Sequence, residues 1–404
     1  MATPKLRFKE FDGDWSESKL KDCIDSIDSG WSPQCESYPA DENEWAVLKT
    51  TSVDWDGFKA NFNKKLPSNL EARFEIEVKP NDILVTRAGP TERVGVVAVV
   101  PHNVRSKLMI SDKLIRLKAN NENNPEFLGI SLSSVKCQNQ LQSKTSGLAK
   151  SQTNISQKIL CDVSLMTPAK AEQTKIASFL SNVDEKISQL TQKHQLLSQY
   201  KQGMMQKLFS QQIRFKAGDG SEFGEWEEKE LKEVAEINPK AKKLPANFIY
   251  IDLESVEKGQ LLLQKNIELQ DAPSRAQRLL AKGDVLFQMV RPYQQNNYYF
   301  NLSGEYVAST GYAQIRTKLD SKFIYYALHE KTFLDEVMNR CTGTSYPAIN
   351  SSDLSSIEIF VPCLEEQTKI ANFLSAIDQK IEVVAQQIEQ AKTWKKGLLQ
   401  QMFV

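Results

Sequence analysis

Two stretches of the chain share the hydrophobic and polar pattern of a long amphipathic helix. In residues 169–212 the apolar positions recur at alternating steps of four and three, and residues 363–404 repeat that spacing. This pattern predicts a coiled-coil seam, which is a narrow apolar stripe between polar flanks. At 1.5 Å per residue, roughly 40 residues give a helix about 60 Å long. An isolated stripe of that length would stay in water, so each helix needs a partner, and the other copy is the simplest one.

Each seam contains one lysine among its apolar positions. The first seam consists of Ile176, Leu180, Val183, Ile187, Leu190, His194, Leu197, Lys201, Met204 and Leu208. The second consists of Ile370, Leu374, Ile377, Ile381, Val384, Ile388, Ala391, Lys395, Leu398 and Met402. Lys201 and Lys395 occupy the same place in the two seams. A charge there lowers stability and can fix the register or direction of pairing. Alternatively, both amines extend to solvent at a frayed helix end.

The helices are part of a duplication that extends over most of the chain. The segment Glu172–Ser181 returns as Glu366–Ser375 with a single substitution. A Gly-x-Trp triplet opens each half, at Gly13–Trp15 and at Gly224–Trp226. Because the period is close to half the chain, this repeat is a duplication and not a solenoid.

Between the shared positions, each half has a mixed pattern that predicts an α+β fold class. Strands are predicted at 82–87, 94–100, 111–117, 249–253 and 285–290. Short helices are predicted at 125–135 and 321–339, followed by polar loops at 136–152 and 340–347. We expect four parts in order: a globular domain at 1–168, a helix at 169–212, a second domain at 213–362 and a second helix at 363–404.

Composition and charge narrow the function classes. The chain is 40% hydrophobic and 25% charged, no apolar run approaches a membrane span, and Met1–Lys5 lacks the core of a signal peptide. We therefore expect a cytoplasmic protein. Lys plus Arg equals Asp plus Glu, 51 each. Bulk charge thus argues against tight, non-specific DNA binding, and any DNA contact must come from local patches or from partners.

The sequence lacks the motifs of several enzyme classes. It has no P-loop and no HExxH pattern, and its three histidines lie far apart. Asn238–Ala241 lacks the aromatic residue of an amino-methylating tetrapeptide, and the acidic residues form no nuclease constellation. We expect a non-catalytic chain that holds no metal and no cofactor.

Two stretches in each half have the composition of a sequence-specific DNA-binding surface. Arg and Lys suit guanine, Asn and Gln suit adenine, and cations and hydroxyls contact the phosphate backbone. The candidates in the first half are Arg87, Arg93, Lys136, Gln138, Asn139, Gln140 and Lys144. Those in the second half are Arg291, Tyr293, Gln294, Gln295, Asn296, Arg340, Thr342 and Thr344. The alternative for each stretch is an ordinary solvated loop.

The order of these features resembles the DNA specificity subunit of type I restriction-modification systems. The resemblance is carried by E-Q-x-x-I-A-x-F-L-S, which occurs twice after a proline, and by G-x-W at the opening of each half. It covers essentially the whole chain. It implies two target recognition domains joined by two long antiparallel coiled-coil helices, with pseudo-twofold internal duplication.

The resemblance also implies a function. Each target recognition domain would recognise half of a bipartite site on double-stranded DNA, and the helices would set the spacer. The helices would dock two methyltransferase subunits that carry S-adenosylmethionine, and a restriction and translocase subunit would join them. A one-turn extension of about 5.4 Å in both helices should lengthen the spacer by one or two base pairs of about 3.4 Å. Two alternatives remain: a coiled-coil scaffold that binds no DNA, and a cryptic DNA methyltransferase or nuclease.

Overall fold

The computed structural model describes residues 4–149, 152–241 and 243–403. The chain divides into two compact units. Unit 1 comprises Met1–Gln189 and Gln387–Val404, and unit 2 comprises Leu190–Gln386. The first long helix, Lys170–Phe209, has 40 residues, and the second long helix, Leu364–Met402, has 39. Both unit boundaries fall inside these helices, so each long helix contributes one half to each unit. The predicted fold class, with two α+β parts and two long helices, is confirmed.

Within each unit, the halves of the two long helices pack antiparallel along the predicted seam. In unit 1, Leu398 and Met402 from the end of the second long helix join the core that contains Ile176 from the start of the first. In unit 2, Leu208 from the end of the first long helix joins the core that contains Ile370. The apolar stripes therefore bury one another, as the heptad pattern requires.

The two seam lysines form ion pairs with the opposite helix. In unit 1, Lys395 Nζ lies 2.5 Å from Asp184 Oδ1. In unit 2, Lys201 Nζ lies 2.6 Å from Asp378 Oδ1. Because the four residues occupy matching places in the duplicated helices, the same pair forms in each unit. This arrangement supports the interpretation that the charges fix the antiparallel register.

Unit 1 is built around antiparallel sheets. The largest sheet has the strand order Ile24–Ser29, Leu114–Ala119, Ile83–Thr86 and Val97–Val99. A second sheet contains Leu108–Met109, Ala46–Leu48 and Asn63–Lys65, and its first pair is parallel. The remaining pairings are Ser16–Lys19 with Ser164–Thr167, Val53–Asp54 with Gly57–Phe58, and Ala88–Gly89 with Gln152–Asn154 and then Ser146–Ala149. The short helices are Pro125–Leu132, Val135–Gln142 and Gln157–Cys161.

Unit 2 repeats this plan with different lengths. Its first sheet has the strand order Ala235–Ile237, Tyr312–Thr317, Val285–Gln288 and Tyr298–Tyr299, which corresponds strand by strand to the largest sheet of unit 1. A second sheet contains Lys265–Glu268, Asn247–Ile251, Tyr306–Ser309 and Ala276–Leu279. Glu227–Glu230 pairs with Glu358–Val361, and Val256–Glu257 pairs with Gln260–Leu261. The short helices are Leu231–Val234, Ser321–Ala327, Lys331–Arg340 and Ser351–Ser355.

The repeated Glu-Gln pair begins each long helix and ties it to the first residues of its unit. In unit 2, the carboxylate of Glu366 accepts hydrogen bonds from Arg214 Nε at 3.1 Å, Arg214 Nη2 at 2.7 Å and Trp226 Nε1 at 3.1 Å. Glu172 accepts the same set from Arg7 and Trp15 in unit 1. The Gly-x-Trp triplet and the Glu-Gln motif are thus two parts of one buried contact.

The glutamine of the pair holds the globular part from the other side. Gln173 Nε2 donates to the Pro168 carbonyl at 2.9 Å, and its Oε1 accepts from the Asn124 N–H at 2.9 Å. Gln367 Nε2 donates to the Pro362 carbonyl, at 2.8 Å. The preceding proline and the glutamine are therefore linked in both repeats.

The structure differs from the predicted short elements in several places. The predicted helix 125–135 ends at Leu132, and the predicted helix 321–339 is two helices separated at residues 328–330. In each case a polar side chain caps a new helix: Ser134 Oγ accepts from the N–H of Cys137, and the Glu330 carboxylate accepts from two main-chain N–H groups. The predicted strand 94–100 is limited to Val97–Val99. In the described ranges, no helix combines the length and the apolar character needed to cross a membrane.

Candidate nucleic-acid interface

The amide-rich stretch of unit 1 is a helix and not the loop that the sequence predicted. Val135–Gln142 is α-helical, because Ser134 caps its first turn and Cys137 and Leu141 supply a buried face. The loop prediction for 136–152 was therefore wrong over 136–142 and over the strand 146–149. Residues 150 and 151 of that stretch lie outside the described residues.

Three of the unit 1 candidates are exposed on or beside this helix. Lys136 and Asn139 are exposed and stand three positions apart, so they share one helical face. Lys144 is exposed just beyond the helix end. A cation and an amide on one face are the groups that a DNA phosphate and an adenine edge require.

The two glutamines of the same helix make hydrogen bonds inside unit 1. Gln138 is buried, and its Nε2 donates to the carbonyls of Gly95 and Leu132, both at 2.8 Å. Gln140 Nε2 donates to the Ser164 carbonyl at 2.8 Å, and its Oε1 accepts from the Ser164 N–H at 2.9 Å. These amides hold the helix in place, which leaves Lys136 and Asn139 as its outward-facing polar groups among the candidates.

The two arginines of the second stretch have different surroundings. Arg87 is exposed at the end of the strand Ile83–Thr86. Arg93 points into unit 1, where Nη1 lies 2.7 Å from Asp54 Oδ1 and Nη2 donates to the Val53 carbonyl at 2.7 Å. Hydrogen bonds from Lys59 and Arg93 lower the pKa of Asp54 to about 2. Arg93 therefore fixes the hairpin 53–58.

That hairpin presents an exposed aromatic side chain that no sequence pattern indicated. Trp55 at its tip is 51% exposed. A lone tryptophan outside any predicted strand or helix gives no periodic signal. Its closeness to the Arg93 stretch follows from the pairing of Asp54 with Arg93, which the sequence does not indicate.

The structure brings the two predicted stretches of unit 1 together. Ala88–Gly89 pairs with Gln152–Asn154, which pairs with Ser146–Ala149 just after Lys144. On the other side, the buried Gln138 ties the helix to Gly95, two residues after Arg93. Segments about 50 residues apart in sequence thus form one surface.

The two predicted stretches of unit 2 also meet. Arg291 donates its main-chain N–H to the Pro347 carbonyl at 2.7 Å, and its guanidinium lies 4.2 Å from the centroid of the Tyr346 ring. Tyr346 is 64% exposed, and Tyr293 in the same loop is 50% exposed. Exposed Thr342 and Thr344 lie on the second stretch. The result is a surface of one cation, two tyrosine rings and two threonine side chains.

The buried side chain of Gln288 forms hydrogen bonds with the loop that contains Arg291. Gln288 Nε2 donates to Gln294 Oε1 at 2.9 Å, and Gln288 Oε1 accepts from the Asn296 N–H at 3.0 Å. Arg291 and Gln295 adopt left-handed backbone conformations, with φ of 54° and 52°. Asn296 Oδ1 accepts from the Lys258 N–H at 3.0 Å. These hydrogen bonds stabilise the conformation of the loop.

The side chain of Arg340 is held by hydrogen bonds within unit 2. It ends the helix Lys331–Arg340, where its Nε donates to Glu336 Oε1 at 2.7 Å and its Nη1 donates to Ser356 Oγ at 2.7 Å. Across the described ranges, no group of three or more His, Cys, Asp or Glu side chains is arranged to hold a metal ion.

Comparisons with known proteins agree with this architecture. The family model of the type I restriction modification DNA specificity domain matches residues 13–199 and 224–393. The specificity subunit of the type I restriction enzyme MjaVIII of Methanocaldococcus jannaschii is 26% identical, over 97% of this chain and 94% of that protein. The specificity subunit of the Escherichia coli enzyme EcoEI is 37% identical, over 46% of this chain and 31% of that protein.

A solved structure has the same fold. The S subunit of a type I restriction-modification system from M. genitalium matches with a TM-score of 0.64 and 16% identity, covering 100% of this chain and 99% of that one. At that identity the match concerns the fold alone. The two family-model matches each include one Gly-x-Trp opening and most of one long helix.

Proposed function

The chain belongs to the type I restriction modification DNA specificity family, and from that premise we propose that it recognises a bipartite site on double-stranded DNA. As a specificity subunit it is non-catalytic. In this proposal residues 1–168 and 213–362 are the target recognition domains, and each contacts one half of the site. The helices at 169–212 and 363–404 set the distance between the halves.

One observation carries this proposal. In both units, the two stretches whose composition suits DNA meet at one surface, although each pair is separated by about 50 residues in sequence. Unit 1 presents Arg87, Lys136, Asn139 and Lys144, and unit 2 presents Arg291, Tyr293, Thr342 and Thr344. Different side chains on a similar frame are what two recognition surfaces for different half-sites require.

The proposed partners follow from the family and from the charge balance. With Lys plus Arg equal to Asp plus Glu at 51 each, the chain has no excess positive charge to hold DNA alone. We propose that the long helices dock two S-adenosylmethionine-dependent methyltransferase subunits, which add DNA contacts, and that a restriction and translocase subunit joins them. We place the complex in the cytoplasm, because its substrate is cellular DNA.

Single-molecule methylation mapping tests the proposal directly. A host that expresses the chain with its methyltransferase partner should acquire methylation at one bipartite motif. Asn139→Ala should relax the base preference in one half-site, and Tyr293→Ala should relax it in the other. Methylation that lacks a motif of two separated parts would refute bipartite recognition. A single half-site relaxed by both variants would refute the assignment of one unit to each half.

Salt-dependent binding separates backbone contacts from base contacts. For the assembled complex, Lys136→Ala should weaken binding to all sequences and reduce the slope of log K against log salt by about 1. Lys21→Ala, an exposed lysine of unit 1 outside the candidate stretches, is the matched control and should leave the slope unchanged. If the two variants change binding and the salt slope equally, Lys136 does not contact the DNA backbone.

Three further experiments address the alternatives and the spacer. The pure chain, incubated with DNA and either S-adenosylmethionine or magnesium, should neither methylate nor cleave it. Tighter binding of the complex to duplexes with the mapped motif than to duplexes without it would exclude a scaffold that binds no DNA.

Adding one helical turn to both long helices should lengthen the spacer by about one or two base pairs with unchanged half-sites. Altered half-sites at constant spacing would contradict the role of the helices.

A further inference from the structure

Unit 1 contains a cavity of about 830 Å³ beside the long helices. Its walls come from the helix Pro125–Leu132, from the strand Val97–Val99, from both long helices and from the hairpin at 55–57. The helix Val135–Gln142 completes the wall, so the DNA-binding candidates Lys136 and Asn139 also border this cavity. The wall residues that matter for its chemistry are Val99, Gly129, Ile130, Ser133, Asp184 and Lys395. Two apolar side chains at its rim, Trp55 and Val135, are 51% and 73% exposed.

The duplicated sequence identifies the matching place in unit 2. The helices Pro125–Leu132 and Ser321–Ala327 begin after Asn124 and Asp320, and the N–H of each of these caps donates to the glutamine of a Glu-Gln pair. The third residue after each cap is a phenylalanine, Phe127 or Phe323, in the core. The two helices are therefore in register.

Counting on from the caps shows why unit 2 differs at this place. Gly129, Ile130 and Ser133 of unit 1 correspond to Tyr325, Tyr326 and His329 of unit 2. In the adjacent strand, Val99 pairs with Ile83, which follows Asp82. Tyr299 pairs with Val285, which follows Asp284, so Val99 and Tyr299 also correspond. Three tyrosine rings and an imidazole thus replace three smaller side chains and a glycine.

In unit 2, the tyrosine at this place is bound by the seam ion pair. Tyr326 donates its hydroxyl to Asp378 Oδ2 at 2.6 Å, and Lys201 Nζ lies 5.3 Å from the centroid of its ring. Lys201 also pairs with Asp378 at 2.6 Å. A phenol therefore receives an acceptor for its hydroxyl and a cation over its ring.

Unit 1 keeps the same ion pair beside its cavity. Asp184 and Lys395 lie 2.5 Å apart, and both line the cavity. Unit 1 cannot fill this place from position 129, because a Cβ there would lie 2.5 Å from Val99 Cγ2, which belongs to a β-branched side chain. The cavity therefore has a hydrogen-bond acceptor, Asp184, and a cation, Lys395, at the positions whose counterparts bind a tyrosine in unit 2.

We propose that this cavity receives a tyrosine side chain from the methyltransferase subunit that docks on the long helices. The hydroxyl donates to Asp184, Lys395 lies over the ring, and Ile130, Ala177 and Leu180 cover its apolar face. The identity of the partner rests on the proposed function, whereas the phenol chemistry of the cavity rests on unit 2 alone. Because Tyr326 occupies the corresponding place in unit 2, the two methyltransferase copies dock with different contacts.

Small-molecule binding to the full-length chain tests the cavity without DNA or partner. We expect p-cresol, the side-chain analogue of tyrosine, to bind in saturation-transfer NMR. Toluene, which lacks the hydroxyl, should bind about tenfold more weakly. Ile130→Tyr places the unit 2 residue in the cavity and should abolish binding. Ser133→His is a second filled variant with the same expectation. Tyr326→Ile should create an additional p-cresol site in unit 2. Thermal unfolding establishes that each variant is folded.

Titration of the methyltransferase subunit tests the partner. Ile130→Tyr should weaken docking at one of the two positions by about tenfold and leave the other unchanged. The proposal is overturned if p-cresol does not bind, if its affinity equals that of toluene, or if it binds the filled variants as tightly as the wild-type chain. It is also overturned if the methyltransferase subunit docks on a folded filled variant as tightly as on the wild-type chain. Methylation mapping that finds no bipartite motif would instead remove the proposed function, and p-cresol binding would be unaffected by that result.

Discussion

Removing the charge of Glu366 from its contact with Arg214 and Trp226 should destabilise unit 2. The Glu366 side chain is fully buried, and the Arg214 side chain is 18% exposed. In Glu366→Gln the shape is kept, but the carboxylate is lost and an NH₂ group replaces one acceptor oxygen. Arg214 and Trp226 then compete for the single oxygen that remains.

The size of the effect follows from the burial of the pair. Removing one partner of a buried ion pair costs about 3–5 kcal/mol. Arg214 is partly exposed and can recover some hydration, so we expect a smaller loss of about 2 kcal/mol for unit 2. Glu365→Gln is the matched control. Glu365 is adjacent, lies 3.3 Å from Lys369 and is 58% exposed, and an exposed pair of that kind contributes little.

Hydrogen exchange measured by mass spectrometry locates the effect. Amides in peptides 213–230 and 364–376 should exchange about 30-fold faster in Glu366→Gln, which corresponds to about 2 kcal/mol. Peptides 4–20 and 170–182 of unit 1 should be unchanged, and Glu172→Gln should reverse the pattern. The reasoning is refuted if Glu366→Gln and Glu365→Gln have equal effects, or if exchange rises equally in both units.

Three further predictions concern other parts of the fold. Gly30→Ala places a Cβ 1.8 Å from the Ile110 carbonyl oxygen, so we expect at least about 2 kcal/mol of destabilisation in thermal unfolding. Gly13→Ala, with no described atom within 4 Å of the new Cβ, should be neutral, and equal midpoints would contradict this account. Gly203→Ala, in the first long helix with the same free space, should stabilise the protein by about 1 kcal/mol, and a lower melting temperature would oppose that expectation. Burial lowers the pKa of His329 from 6.5 to about 4, so the unfolded chain binds a proton between these values and the folded chain does not. The stability of unit 2 should therefore fall as the pH is lowered from 6.5 to 4, and urea titrations across that range should show a flatter dependence for His329→Asn.

The long-range organisation could be predicted from the sequence because it depends on patterns that repeat. The two seams keep heptad spacing over about 40 residues, and hydrophobic burial imposes that spacing on any paired helix. The Glu-Gln motif was also visible as a repeat, but its role was not. Sequence alone does not indicate that Glu366 meets Arg214 and Trp226, because these residues are about 140 to 150 positions away.

Short elements could not be placed well because single polar side chains decide where they begin. Ser134 and Glu330 each cap a helix inside a stretch that the sequence presented as continuous or as a loop. The helix Val135–Gln142 looked like a loop because it has only two strongly buried apolar or thiol side chains, Cys137 and Leu141. A capping side chain of this kind can begin a helix at a position where the spacing of apolar residues predicts no helix start.

The candidate site was predicted by composition, and composition does not distinguish outward-facing polar groups from internal ones. Gln138 and Gln140 have the same chemistry as Asn139, yet they bond to main-chain atoms within unit 1. Arg93 and Arg340 likewise bond to carboxylates of their own unit. Whether any candidate contacts a base stays a prediction that methylation mapping can decide.

The division of the long helices has a consequence for folding during synthesis. Unit 2 is one continuous segment, Leu190–Gln386, whereas unit 1 needs both the earliest and the latest residues. Leu6 donates its N–H to the Gln401 carbonyl at 3.0 Å, and the ring of Phe403 stacks on that of Phe127 at 5.5 Å. On the ribosome, unit 2 can complete its core while unit 1 still exposes the apolar faces of Ile176 and Phe127. We therefore expect nascent chains halted after residue 386 to hold a protease-resistant second half and a first half that chaperones bind.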